Sequence, residues 1–240
     1  LETLALPTPP CLIQIVGTNG KGSTAAFLES LGRAHGLATG LFTSPHFLNV
    51  RERILANGRE LPEQNWLEAV ERVMAAGGET LTYFELLTAM AVVLFHMQQV
   101  DLAVFEAGLG GTHDATTALD AHLVGVASIA LDHTKVLGES LSAIARDKAG
   151  AIRQGRPVFS APQQPEAMAE LRRAAEEQQA HLVQTSPLGE DHTLGLAGEH
   201  QRINAGLATK LWEEVAGLLK LDADPGAIAL GLRETFVPGI

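Results

Sequence analysis

The run Gly17-Thr18-Asn19-Gly20-Lys21-Gly22-Ser23-Thr24 has the residue types of a phosphate cradle. Glycines let backbone N–H groups turn inward around phosphate oxygens, and a helix that starts at such a loop adds partial positive charge. Lys21 is placed to reach the β- and γ-phosphates of a nucleotide. The spacing departs from the common G-x-x-x-x-G-K-[ST] pattern, because only Thr18 and Asn19 separate Gly17 from Gly20, and Gly22 follows the lysine. Outside a strand–loop–helix context the same run would be a turn with a solvent-facing lysine. Glu106 follows the apolar stretch Leu102–Phe105 and opens a second glycine-rich segment. A carboxylate at the C-terminal end of a strand beside a phosphate loop is placed to hold Mg²⁺; elsewhere it would only brace a loop. Lys148, in Arg146-Asp147-Lys148-Ala149-Gly150, is an exposed ion-pairing lysine or, if buried, one whose amine is shifted toward neutrality. Ser44-Pro45-His46 reads by itself as a turn, and His200, Gln201 and Asn204 as the polar first turn of a helix.

The elements needed to hold these residues alternate along the chain. After the proline-bearing opening Leu1–Pro10, the apolar run Leu12–Val16 predicts a buried strand and Ser23–His35 a helix. Leu37–Phe42 predicts a second strand, completing a βαβ unit and hence a parallel sheet. Helices are expected at Pro62–Ala76 and Thr82–Gln98, the latter apolar almost all round and therefore deep in the core. Leu102–Ala107 and Leu123–Ile129 have the continuous apolar character of buried parallel strands. Helix Ser140–Arg153, strand Pro157–Ser160 and helix Pro165–Gln179 continue the alternation, and helices Gln201–Leu219 and Pro225–Glu234 follow the ambiguous Leu188–Gly198 stretch. The fold class is α/β, a mostly parallel sheet flanked by helices and carrying a phosphate-binding loop.

Composition narrows the function. The 240 residues are 46% hydrophobic and 19% charged, which suits a globular chain. Seventeen basic residues against 28 acidic ones give a formal charge of −11, a surface that repels nucleic-acid backbones and anionic lipid. A phosphate ligand must therefore be held by local geometry. Cys11, the single cysteine, allows no intrachain disulfide and fits a reducing cytoplasm. No apolar run approaches the roughly 20 residues that span a bilayer.

The phosphate loop resembles that of the dihydrofolate synthase/folylpolyglutamate synthase family, relatives of the Mur ligases, and Gly22 favours the folate branch. Further resemblances fall in order: Ser44-Pro45-His46 with Glu52-Arg53-Ile54, Thr82-Tyr83-Phe84-Glu85, Glu106 to Gly111, Asp114-Ala115-Thr116, Leu131-Asp132-His133-Thr134, Lys148-Ala149-Gly150, and Gly198 to Gln201 with Asn204-Ala205. The resemblance implies a Mur-ligase type of central ATP-binding domain, with Gly17 to Thr24 on the nucleotide and His200, Gln201 and Asn204 on its adenine side. It implies two Mg²⁺ ions held by Ser44, Glu106, His133 and Lys148, the last carbamylated, with Lys21, His133 and Lys148 in catalytic roles. Thr82, Phe84, Asp114 and Ala115 are implied to meet the pteridine of dihydropteroate or a folate, the second substrate being L-glutamate. The implied enzyme is cytoplasmic, monomeric at full length, and joins glutamate through an acyl phosphate.

Two features depart from the family pattern. Thr112, His113 and Thr117 stand where arginine, leucine and asparagine are usual, which removes a bidentate donor. Both chain ends read as cut, with a C-terminal glutamate-binding domain expected beyond Ile240. A catalytically impaired nucleotide- or partner-binding relative and a Mur-type cell-wall ligase remain as alternatives. A GTPase is disfavoured, since the chain has no Asn-Lys-x-Asp motif.

Overall fold

The structure, a computed structural model, describes residues 6, 9–132 and 140–237. Its strands are β1 (Cys11–Val16), β2 (Thr39–Phe42), β3 (Ile54–Ala56), β4 (Arg59–Glu60), β5 (Leu102–Glu106), β6 (Leu123–Val126), β7 (Val158–Ser160) and β8 (Leu182–Gln184). They form one sheet in the order β4-β3-β2-β5-β1-β6-β7-β8. All pairings from β2 to β8 are parallel, while β3 joins β2, and β4 joins β3, antiparallel. The helices are α1 (Lys21–Ala34), α2 (Glu63–Ala75), α3 (Tyr83–Met97), α4 (Leu141–Ala149), α5 (Pro165–Glu177), α6 (Gln201–Leu219) and α7 (Pro225–Arg233).

Strand β1 is buried on both faces, as its unbroken apolar character requires. Cys11, Ile13 and Ile15 face a core built with α1, α6 and α7. Leu12 and Val16 face the opposite side, where α2 and α3 build one cluster and α4 and α5 another. Helix α2 buries Trp66, Ala69 and Val73, one stripe at helical spacing, and leaves its charges outside. The connection from β1 runs through α1 to β2 on one side, whereas β6 lies on the other. The carboxyl end of β1 is therefore a topological switch point, where open α/β sheets form ligand crevices.

The observed elements differ from the expected ones in three places. The hairpin β3–β4 and the strand β8 were not expected. The hairpin has a sequence signal in Asn57-Gly58, whose positive φ values of 52° and 69° suit a two-residue turn. Strand β8 is a short, half-exposed edge with no alternation to read. Helix α4 begins where Ser140 Oγ accepts the Ala143 N–H at 3.2 Å, but it ends at Ala149 rather than Arg153. The Asp147 carbonyl there also accepts from Thr112 N–H and Oγ1, both at 3.0 Å, and the chain continues in i to i+3 turns.

Candidate functional site

The phosphate loop is clamped over its first half and opens on a helix start without a side-chain cap over its second. Thr18 and Asn19 donate their N–H groups to the Ser128 carbonyl at 2.9 and 3.0 Å, beyond the end of β6. Thr18 Oγ1 donates to Ala130 O and accepts from Ala130 N, both at 3.1 Å. Ser128 is steadied in turn by Gln163, whose amide brackets it through Ala127 O and Ile129 N, each at 2.9 Å. No sequence signal marked Gln163. The α1 N-cap is Gly20, in the left-handed region, with no side-chain cap and no acid in the first turn. The first helical bond is Thr24 N to Gly20 O at 2.9 Å. An uncapped N-terminus opening on a cavity attracts anions. Lys21 curls over the loop, its Nζ donating to Thr18 O at 3.2 Å. Ser23 and Thr24 are buried, and Thr24 Oγ1 has no hydrogen-bond partner among the described residues.

Glu106 ends β5 directly beside this loop. Its Oε2 accepts the Ser44 N–H at 2.9 Å, and Gly22 also donates its backbone N–H to the carboxylate. A Cβ at position 22 would lie 3.3 Å from Glu106 Oε2, so a glycine there lets the helix and the carboxylate approach closely. Burial pushes the Glu106 carboxyl up to about 7, against the Ser44 and Gly22 amides and the charges of Lys21 and Arg53. Thr18 to Ser23, Ser44, His46 and Glu106 line a cavity of about 370 Å³. A second cavity of about 170 Å³ shares Thr18, Lys21 and Ser44 and adds Gly108, Asp132 and Lys148. Lys148 is 3% exposed, and burial, helped by the Lys21 charge, pulls its amine down to about 8. Asp132, given no role in the sequence reading, sits with it in that cavity.

The structure thus brings Gly17 to Thr24, Ser44, Glu106 and Lys148 to one end of the sheet. Oxygen donors beside a phosphate cradle suit Mg²⁺, which takes one or two protein ligands and fills its shell with phosphate and water. No three His, Cys, Asp or Glu side chains cluster as a metal cage among the described residues. His133 lies outside the described residues. A larger cavity, about 670 Å³, lies at the opposite end of β1, lined chiefly by apolar groups such as Leu12, Val92 and Phe95. It adjoins none of the phosphate-loop residues.

The other expected site residues occupy two neighbouring places. Asn204 is buried behind the loop: a Cβ on Gly20 would fall 2.1 Å from its Oδ1, and its Nδ2 donates to buried Gln201 at 2.9 Å. His200 is exposed at the start of α6. Thr82 caps α3, its hydroxyl and N–H both donating to Glu85 Oε2 at 2.7 Å. The Phe84 ring lies 5.5 Å from that of Phe42, and a Cβ on Gly108 would be 2.7 Å from its edge. Asp114 is buried in the Gly108–Thr117 loop, where Oδ1 accepts from Thr116 N and Oγ1 at 2.9 and 2.6 Å, and Oδ2 from Leu109 N at 2.9 Å. Ala115 follows it in a short 3₁₀ turn. The departures at Thr112 and Thr117 both have internal partners, Thr112 on Asp147 O and Thr117 on Gly111 O at 2.6 Å.

No protein-family model matches the chain. Folylpolyglutamate synthase of Arabidopsis thaliana is 39% identical over 245 residues, covering 95% of this chain and 42% of that protein. The solved structure of Escherichia coli FolC in complex with DHPP and ADP matches with a TM-score of 0.87 at 32% identity, covering 99% of this chain and 60% of the other. A bifunctional folylpolyglutamate synthase/dihydrofolate synthase with Mn, AMPPNP and L-glutamate bound matches with a TM-score of 0.83 at 31% identity, over 98% and 60% of the two chains. The chain therefore spans less than half the length of the curated relative. Likeness of sequence and of backbone, each over nearly all of these residues, places the chain in the dihydrofolate synthase/folylpolyglutamate synthase family.

Proposed function

We propose that this chain is the ATP-binding part of a ligase that joins L-glutamate to dihydropteroate, to a folate, or to both. The observation that carries the reading is the convergence of the uncapped α1 N-terminus, Lys21, Glu106 and Lys148 on adjoining cavities. Helix N–H groups and a lysine suit the β- and γ-phosphates of ATP, and the buried Asn204 and Gln201 stand behind the loop toward the adenine side. Ser44 and Glu106 are the oxygen donors that would hold Mg²⁺. When bound, the metal would neutralise charge on the transferring phosphoryl group. Lys21 adds its own charge there without any rearrangement of the loop.

An acceptor carboxylate would attack the γ-phosphorus, releasing ADP and leaving an acyl phosphate. The glutamate amine, as the free base, would attack the acyl carbon, expel inorganic phosphate and release a proton. Lys148, buried and pulled toward neutrality, is suited to take up CO₂ and lose a proton. The resulting carbamate would serve a second Mg²⁺. Asp114 and Ala115 in the Gly108–Thr117 loop, Phe84 against Gly108, and Thr82 at the start of α3 form the acceptor side of the reading. Glutamate binding and closure against water would come from a further domain of the protein. We read the working protein as a cytoplasmic monomer, a setting in which the buried, unpaired Cys11 thiol persists.

The test is ATP-dependent incorporation of L-glutamate by the complete protein, with dihydropteroate and tetrahydrofolate offered in parallel. Product with either acceptor, lost in Lys21→Ala by a factor on the order of 10³, supports the reading. ATP–Mg²⁺ binding with no product from either acceptor would overturn it.

A further inference from the structure

Gln14 is fully buried at the middle of β1, the strand that carries the phosphate loop. It shares a face with Leu12 and Val16, each of which packs in an apolar cluster. An apolar side chain would satisfy that position. Instead Gln14 Nε2 donates to Thr116 Oγ1 at 2.9 Å and to Thr117 Oγ1 at 2.7 Å. Thr116 Oγ1 in turn donates to Asp114 Oδ1 at 2.6 Å, and Thr117 Oγ1 donates to Gly111 O at 2.6 Å.

The directions of these bonds are forced. A carboxylate and a backbone carbonyl only accept, so each threonine commits its single proton to them. Each hydroxyl oxygen then needs a donor, and the Gln14 amide supplies both. The same orientation leaves Gln14 Oε1 buried and without a partner among the described residues. A buried, unpartnered carbonyl lowers stability, and packing alone gives no reason to keep it.

What the amide achieves is placement of the Gly108–Thr117 loop. It reaches that loop at Gly111 through Thr117 and at Asp114 through Thr116, and Asp114 Oδ2 then holds the Leu109 N–H at 2.9 Å. Gly108 and Leu109 line the cavity that contains Lys21 and Lys148. An ionised carboxylate has about four acceptor positions. Among the described residues, three on Asp114 are filled, which leaves one for a donor on a ligand.

We infer that Gln14 is a positioning residue for the acceptor substrate, acting through Thr116 and Thr117 to set Asp114 and the glycine loop. This rests on the ligase reading above. The relay touches the acceptor-side loop and makes no hydrogen bond to residues 17–24, so its loss acts on the acceptor and not on ATP. Thr117, where the family pattern has asparagine, belongs to the same relay.

The experiment is steady-state kinetics of the complete protein carrying Gln14→Met, Thr116→Val, or both, with ATP and acceptor varied separately. Each single variant is expected to raise the acceptor KM roughly tenfold, the scale of one lost hydrogen bond to a charged group. The ATP KM stays unchanged, and Gln14→Met melts no lower than wild type. The double variant is expected to be no worse than the poorer single one, because both cut one relay. Thr116→Val preserves shape and carries the test by itself if Gln14→Met does not fold. An active wild type with unchanged acceptor KM in the variants overturns the inference alone, as does a parallel rise in both KM values. A wild type inactive with both acceptors overturns the ligase reading and this inference with it.

Discussion

Glu29 and Glu106 are buried to the same degree, 4% and 5% exposed, and burial raises both carboxyls above their ordinary range. Their surroundings differ. Glu29, in the middle of α1, accepts from the Thr39 hydroxyl on β2 and from the Gly58 N–H in the β3–β4 turn, with the Arg33 guanidinium 3.5 Å away. It ties one helix to two neighbouring strands through side chains, and lines neither cavity at the phosphate loop. Among the described residues Glu106 accepts hydrogen bonds from two backbone N–H groups, feels the charges of Lys21 and Arg53, and opens on a cavity beside Lys21. Burial and a raised pKa are common to both. What separates a chemical role from a structural one is an incomplete partner set facing open space.

The largest expected effect comes from replacing each acid by its amide in the complete protein. Glu106→Gln should lower glutamate ligation on the order of 10³-fold while the melting temperature, read above pH 7 where Glu106 is charged, holds or rises, since a buried charge is removed. Glu29→Gln should leave the rate per folded molecule within about threefold, since it contacts neither reactants nor loop. Equal losses of ligation in the two variants, with both folded, would end the distinction.

Truncation should reverse the ranking. Glu29→Ala is expected to cost about 2–4 kcal/mol, because it strands the Thr39 hydroxyl and the Gly58 N–H and leaves a cavity. Glu106→Ala leaves a site that water can enter and should cost less than half of that in urea titrations. A Glu106→Ala loss as large as that of Glu29→Ala would make Glu106 a structural acid.

A backbone change at the loop sharpens the same contrast. Gly20 has φ 83°, and a Cβ there would meet Asn204 Oδ1 at 2.1 Å. Gly20→Ala should therefore cost about 1–3 kcal/mol and also weaken ATP binding, read by calorimetry. Lost stability with unaltered ATP affinity would mean that Asn204 and the loop are independent.

The smallest effect is on pH. With no divalent metal present, the folded chain keeps a proton on Glu106 up to about pH 7, while the unfolded chain releases it near its ordinary value of 4.5. The folded form therefore binds more protons between these values. Stability falls as pH rises through that window. Melting curves of Glu106→Gln should show a shallower fall than wild type over the same range, and identical slopes would remove the raised pKa.

Much of this was legible in the chain before its fold was known. Apolar runs of strand length alternating with helical stripes announce a parallel sheet, and β1, α1, β5, β6 and α6 fall where their periodicity puts them. The phosphate loop is legible because its chemistry is local: closely spaced glycines and a lysine act through their own backbone. The β3–β4 turn carried a readable Asn57-Gly58 signal as well, although its strands are too short for any pattern. Strand β8 had none, because pairing with β7 and not side-chain pattern makes it a strand.

Residue types and spacing could name Lys21 and Glu106, since phosphate binding and metal binding restrict which side chains serve, whereas Lys148 was named only by the family resemblance. They could not say that Lys148 is buried near Lys21, that Asp132 joins it, or that Asp114 already holds three internal bonds. Nor could they separate Glu29 from Glu106, or give Gln14 any role at all. Such distinctions depend on desolvation and on partners a hundred residues apart, as between Gln14 and Thr116. Those quantities exist only once the sheet has assembled and brought distant segments within hydrogen-bonding reach.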